Sequence, residues 1–122
     1  MEKVKLDELQ LKIMKVLWQL GTATVVQIRE ALEKAYAVTT IGTILTRLKK
    51  RHIVDYEKQG RQYVYRPLIS EDAVQDSMVD TLVDQLFEGN SSNLVNHLLK
   101  KSEFDATELE ELRSLIDKHL EK

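Results

Sequence analysis

The sequence predicts a mainly α-helical chain with a small β-hairpin wing, an α+β arrangement in which three helices and the hairpin precede three further helices. Three observations predict it. Apolar residues recur at spacings of three and four through the first fifty positions, and again from about residue 70 to the end. Between those stretches, VDYEKQGRQYVYRPL alternates β-branched and aromatic residues with polar ones around a glycine. The charge also divides along the chain. Residues 1–70 hold 13 Lys and Arg against 7 Asp and Glu, whereas residues 71–122 hold 5 against 13. A basic front and an acidic back suggest two tasks, so the expected division is 1–69 and 70–122.

In order along the chain, Asp7 caps a helix running to about Leu20, with Leu9, Ile13, Val16, Leu17 and Leu20 on its buried side and Gly21 as its stop. Thr24 and Gln27 have capping-box spacing for a second helix, whose apolar face is Val25, Ile28, Ala31 and Leu32. The third helix starts at Thr39 or its neighbour and contains TTIGTILTRLKKR, with Ile41, Ile44, Leu45 and Leu48 as one stripe. The hairpin then turns at Gln59-Gly60. Val54, Tyr56 and Lys58 share one side of its first strand, Tyr63 and Tyr65 share a face of the second, and Pro67 closes it. This order is that of a winged helix-turn-helix.

Ser70 opens a fourth helix to about Phe87, with Val74, Met78, Leu82 and Leu86 spaced by four, and Gly89-Asn90 stops it. Ser91 or Ser92 caps a fifth helix carrying Leu94, Val95, Leu98 and Leu99. Asp105 and Glu108 form a further capping box, followed by Leu109, Leu112, Ile116 and Leu120. Three helices of roughly 50 residues enclose little core alone. Leu82, Leu86, Leu109, Leu112 and Ile116 are therefore the candidate interface of a homodimer.

Composition narrows the function classes. With 122 residues, 43% hydrophobic and 31% charged, the chain reads as one globular domain, or one with an appendage. No apolar run approaches the roughly 18 residues of a membrane span, so no membrane insertion is expected and the expected location is cytoplasmic. The absence of cysteine removes disulfides, thiolate metal sites and cysteine nucleophiles together. His52, His97 and His119 have no metal-ligand spacing, and no phosphate loop or nucleophile motif accompanies them. No enzyme, catalytic residue, cofactor or metal is expected.

The third helix carries the functional signal. Its side opposite the apolar stripe presents Thr39, Thr40, Thr43, Thr46, Arg47 and Lys50. Threonine is a costly choice for a merely wet helix face, because β-branching restricts χ1 there. A hydroxyl and a methyl on a short side chain do suit base edges, and Gly42 admits close approach of a backbone. Residues 39–66 carry seven Lys and Arg against two acids. Arg61 and Gln62 at the hairpin tip suit a wing on phosphate or in a minor groove. Two plainer readings stand beside this one: Thr39 as an N-cap, and Arg47 as the partner of an acid on a neighbouring helix. The rival function is a winged-helix module for protein–protein contact in a regulatory complex, which the concentrated positive charge disfavours.

With LDELQLKIMKVLW, TTIGTILTRLKKR, QYVYRPL and ELEELRSLIDKHLEK in this order, nearly the whole chain resembles the penicillinase-repressor family of β-lactamase and methicillin-resistance repressors, related to copper-transport repressors. That resemblance implies a homodimeric winged-helix repressor on a palindromic double-stranded DNA operator. It also implies resistance-type target genes and release through proteolysis triggered by a membrane sensor protease. Three departures stand out. His52 occupies the position where the family usually has a glycine after the recognition helix. The cysteine pairs of the copper branch are missing. The family's Asn–Phe cleavage bond is matched here by Asn96–His97.

Overall fold

The computed structural model describes residues 3–121. Its elements are α1 (Glu8–Leu20), α2 (Val25–Ala31), α3 (Val38–Lys50), β1 (Val54–Gln59), β2 (Gln62–Pro67), α4 (Glu71–Leu86), α5 (Ser91–Lys101) and α6 (Ala106–Leu120). Two compact units divide between Asp80 and Thr81, inside α4. The first part of α4 thus packs with the N-terminal unit.

Local chemistry sets most helix starts. At α1, Asp7 accepts from the Gln10 amide at 2.8 Å while the Gln10 side chain accepts from the Asp7 amide at 3.0 Å. Thr24 with Gln27 and Asp105 with Glu108 repeat this reciprocal arrangement at α2 and α6. Each pair satisfies donors that helix geometry leaves free. Two caps differ from expectation. Helix α3 begins behind Ala37, whose side chain has no acceptor to offer as a cap, and the Ile41 amide bonds to the Ala37 carbonyl at 3.1 Å. Thr39 therefore lies inside the first turn and is not the cap. Helix α5 is capped by Asn90, which accepts from the Asn93 amide at 2.9 Å, so Ser91 and Ser92 are already helical.

The end of α3 resolves the question of His52. Its amide bonds to the Lys49 carbonyl at 3.0 Å, and the Ile53 amide bonds to the Leu48 carbonyl at 3.0 Å. That bond pair is a Schellman motif, which needs a left-handed residue just past the helix. His52 supplies it with φ 60°. The histidine itself takes the left-handed conformation that the turn needs.

The hairpin is antiparallel, with Tyr56 opposite Tyr65, Lys58 opposite Tyr63 and Gln59 opposite Gln62. Since Gln59 is still paired, the turn residues are Gly60 and Arg61, one position later than the sequence suggested. Gly60 has φ 64° and Arg61 is not among the positive-φ residues, the φ pattern of a type II′ turn. A third short edge joins the sheet: Ala23 exchanges both backbone bonds with Tyr65, at 2.8 and 2.9 Å.

The core of the N-terminal unit is built from Leu6, Ile13, Met14, Val16, Leu17, Ala23, Ile28, Ile41, Leu45, Leu48, Ile53, Val54, Tyr65 and Val74. Leu20 and Ala31, expected inside, are exposed because each is the last residue of its helix, beyond the edge of this core. The start of α4 is tied in by polar contacts as well. The Trp18 indole donates to the Ile69 carbonyl at 2.9 Å, and the Val4 amide donates to the Ser77 hydroxyl at 2.6 Å. The C-terminal unit differs. Val83, at 9% exposure, is its buried hydrophobic residue among those described, while Leu86, Ile116 and Leu120 stand 68, 56 and 77% exposed.

Candidate nucleic-acid interface

Helix α3 splits cleanly into two sides. Ile41, Leu45 and Leu48 are buried, with Ile44 half-buried, whereas Thr39, Thr40, Thr43, Thr46, Arg47 and Lys50 are exposed. The threonines are not idle. The Thr43 hydroxyl donates to the Thr39 carbonyl and the Thr46 hydroxyl to the Gly42 carbonyl, both at 2.9 Å. With the donor committed to the helix, each keeps only acceptor capacity and a methyl group for anything outside. Such a side chain suits a base amino group or a thymine methyl. Nothing lies within 4 Å of a Cβ added at Gly42, so packing inside the chain does not require glycine there.

The cations of this region sort into two groups. Lys49 and Arg66 both bind the Asp55 carboxylate, at 3.1 and 3.3 Å, and Arg51 donates to the Lys5 carbonyl at 2.8 Å. Arg47, Lys50, Lys58 and Arg61 form no ion pair among the described residues. The expectation that Arg47 pairs with a neighbouring acid is thus not met, since no acid of the described chain reaches it. Asp55 holds the end of α3 to both strands of the hairpin. The Tyr56 amide at 2.8 Å and then the Lys49 ammonium hold its carboxyl below the ordinary value.

The hairpin contributes two surfaces. At its tip Arg61 and Gln62 line a shallow cleft of about 190 Å³ with Thr24, Val25, Val26 and Tyr63, so the predicted wing residues sit beside the start of α2. Between the hairpin and α3 lies a cleft of about 410 Å³ bounded by Thr46, Lys49, Lys50, Tyr56, Tyr63 and Tyr65. Tyr56 meets Tyr63 and Tyr65 edge-on, with ring centroids 4.5 and 5.5 Å apart, and Lys49 Nζ lies 4.9 Å from the Tyr56 ring centroid. Burial raises the Tyr65 phenol above its ordinary value. None of these tyrosines is among the expected site residues. In the sequence, the alternation of Tyr63 and Tyr65 on the strand after Tyr56 marks a hairpin and, within QYVYRPL, carries part of the family resemblance.

Among the described residues no cluster of His, Asp or Glu could hold a metal, and no helix is long and apolar enough to cross a membrane. An exposed helix with a buried back, a basic rim and a hairpin fixed beside it define a winged-helix protein. The penicillinase repressor family matches residues 6–118, and the chain belongs to that family, one of transcriptional repressors rather than enzymes. The penicillinase repressor of Bacillus licheniformis is 25% identical over 98% of this chain and 95% of its own. The solved DNA-binding domain of the repressor BlaI is similar with a TM-score of 0.53 and 30% identity, over 59% of this chain and 90% of that one. A second structure, monomeric Bacillus licheniformis BlaI in complex with the blaP half-operator, covers the same shares at 30% identity and a TM-score of 0.50.

Proposed function

We propose that this chain is a homodimeric repressor that reads a palindromic operator with α3 and silences resistance-type genes in the cytoplasm. The observation that carries the reading is the exposed face of α3, where four threonines and two cations without ion pairs lie opposite the buried stripe. Thr39, Thr40, Thr43, Thr46 and Arg47 read bases, while Lys50, Arg61 and Gln62 hold the backbone. Residues 1–69 form the reading part and residues 70–122 the pairing part. Leu82, Leu86, Leu109, Leu112 and Ile116 supply an apolar surface that a second copy would cover. The half-operator bound by the similar BlaI supports a duplex DNA partner.

Symmetric half-sites demand a two-fold protein, and pairing raises overall affinity because the second half-site is then met at high effective concentration. Release follows loss of the pairing helices, through cleavage by a membrane sensor protease within residues 87–104. The Asn96–His97 bond lies inside α5 and His97 packs 5.4 Å from Phe87, so cleavage there requires α5 to open first. The Gly89–Asn90 connection is the more accessible alternative.

Selection of bound genomic fragments tests the reading. Thr43→Ala should then cost about 1–3 kcal/mol on the selected duplex and little on a scrambled one, as loss of a base contact does. Equal losses on both duplexes would remove Thr43 from base readout, and no selected sequence at all would sink the DNA reading.

A further inference from the structure

The cleft between α3 and the hairpin holds more hydrogen-bonding capacity than the protein uses. The Tyr65 ring is only 6% exposed, but its hydroxyl opens into the cleft and has no hydrogen-bond partner among the described residues. Tyr56 and Tyr63, which line the same cleft, likewise have no hydroxyl partner among the described residues, and Lys50 at its rim has no ion pair. Its other lysine, Lys49, is fixed by Asp55 at 3.1 Å, so the ammonium beside the Tyr56 ring stays in place without any ligand. Phenolic donors beside the unpaired Lys50 ammonium, with Lys49 already paired to Asp55, form a site for an anion with several acceptor oxygens.

Position decides which anion. The walls come from α3, which presents the threonine face, and from both strands of the wing. A duplex lying along that face would bring its sugar-phosphate edge to the cleft, whose aromatic walls also suit a deoxyribose. Resting on the operator-binding reading above, we propose that the cleft seats one phosphodiester of the bound duplex, with the Tyr63 and Tyr65 hydroxyls donating to its oxygens and Lys50 beside them. The tyrosines are then sequence-independent DNA contacts, and they set how deeply α3 enters the groove.

The test uses the full chain and two labelled duplexes, the selected operator and a scrambled sequence, titrated across a series of salt concentrations. Tyr65→Phe keeps the ring in the core and removes only the hydroxyl. A hydrogen bond to a charged group predicts a loss of roughly tenfold or more in affinity, equal on both duplexes. Its salt slope should match the wild type, since a neutral phenol releases no counterion, whereas Lys50→Gln should lower the slope by about one unit. A methylphosphonate placed at successive linkages should reveal one position where the cost of Tyr65→Phe disappears. Wild-type affinity for Tyr65→Phe on both duplexes, at unchanged melting temperature, would overturn the proposal, and so would a loss confined to the operator, which marks a base contact. Wild-type chain that binds neither duplex would overturn the operator reading itself, and the proposal with it.

Discussion

The N-terminal and C-terminal units use similar helix-making chemistry to different ends. Both start helices with reciprocal caps, Asp7 and Thr24 in one and Asp105 in the other. In the N-terminal unit the apolar stripes converge on a closed core with Ile13, Met14, Leu17, Ile28, Ile41, Leu45 and Leu48 fully buried. In the C-terminal unit equally regular stripes remain open, with Leu86, Val95, Leu98, Leu109, Ile116 and Leu120 all exposed. A sequence pattern that specifies a buried face does not say what buries it. The difference teaches that one unit closes its apolar faces within the chain, whereas the other leaves them open, as the proposed homodimer requires.

The largest expected effect separates the two units by how stability depends on concentration. Leu45→Ala should cost about 2–5 kcal/mol, because the cavity it leaves is enclosed by the same chain. That cost should be the same at any protein concentration. Ile116→Ala should change little in a lone chain but should lower the melting temperature in a concentration-dependent way, as removal of a dimer contact does. Thermal melts over a hundredfold range of concentration check both. If Ile116→Ala shows the concentration independence of Leu45→Ala, the open stripes are not a pairing surface.

How much of this was legible in the sequence follows the range of the interactions. Capping boxes reach three residues, so the boxes at Thr24 and Asp105 and the cap at Asp7 stand where the sequence puts them, while the reciprocal bond from Gln10 at Asp7 is added by the structure. The threonine face was legible too, because the stripe of Ile41, Ile44, Leu45 and Leu48 fixes which side of α3 turns outward. Errors arose where two neighbours could serve alike. Asn90 and Ser91 are both good caps, and Gly60 can take either central position of a two-residue turn. The long-range features had no local signature. The Ala23–Tyr65 bridge, the Trp18 bond to Ile69 and the burial of Leu6 join segments distant in sequence. The tyrosine cleft belongs to the same class, since it exists only once α3 and the hairpin are placed together.

A smaller effect comes from acid, and it belongs to the N-terminal unit alone. The folded state holds Asp55 below its unfolded value near 3.8, through the Tyr56 amide first and Lys49 second. A depressed carboxyl contributes stability that is present above the unfolded value and is lost as pH falls through the folded one. Asp55→Asn should therefore lower the melting temperature slightly at neutral pH, and the gap to wild type should close only below pH 3.8. The gap should also shrink with added salt, because the pairs to Lys49 and Arg66 are partly exposed. A gap that is constant with pH would mean that the carboxylate charge does not hold α3 to the hairpin. Loosening this joint should also weaken DNA binding, since the wing and the reading helix would no longer be held together.

The smallest effect concerns how each unit ends a helix. Beyond the end of helix α4, Glu88 at φ 51° is followed by Gly89 at φ 82°, so a glycine carries the second left-handed position. Helix α3 ends in the Schellman turn at His52, φ 60°, where a side chain takes the conformation unaided. A left-handed non-glycine residue costs about 1–2 kcal/mol, against which glycine loses about 0.5–1 kcal/mol of unfolded-chain freedom. His52→Gly should thus raise stability by up to about 1 kcal/mol, while Gly89→Ala in the other unit should lower it. Denaturant midpoints at equal slope would measure both. Neither change touches the threonine face, so DNA affinity should stay at the wild-type level in His52→Gly. If stability instead falls, the imidazole makes a favourable contribution that outweighs its backbone cost. A loss of DNA affinity at unchanged stability would make His52 a contact beside Lys50, and the departure from glycine would then belong to DNA recognition rather than to the turn.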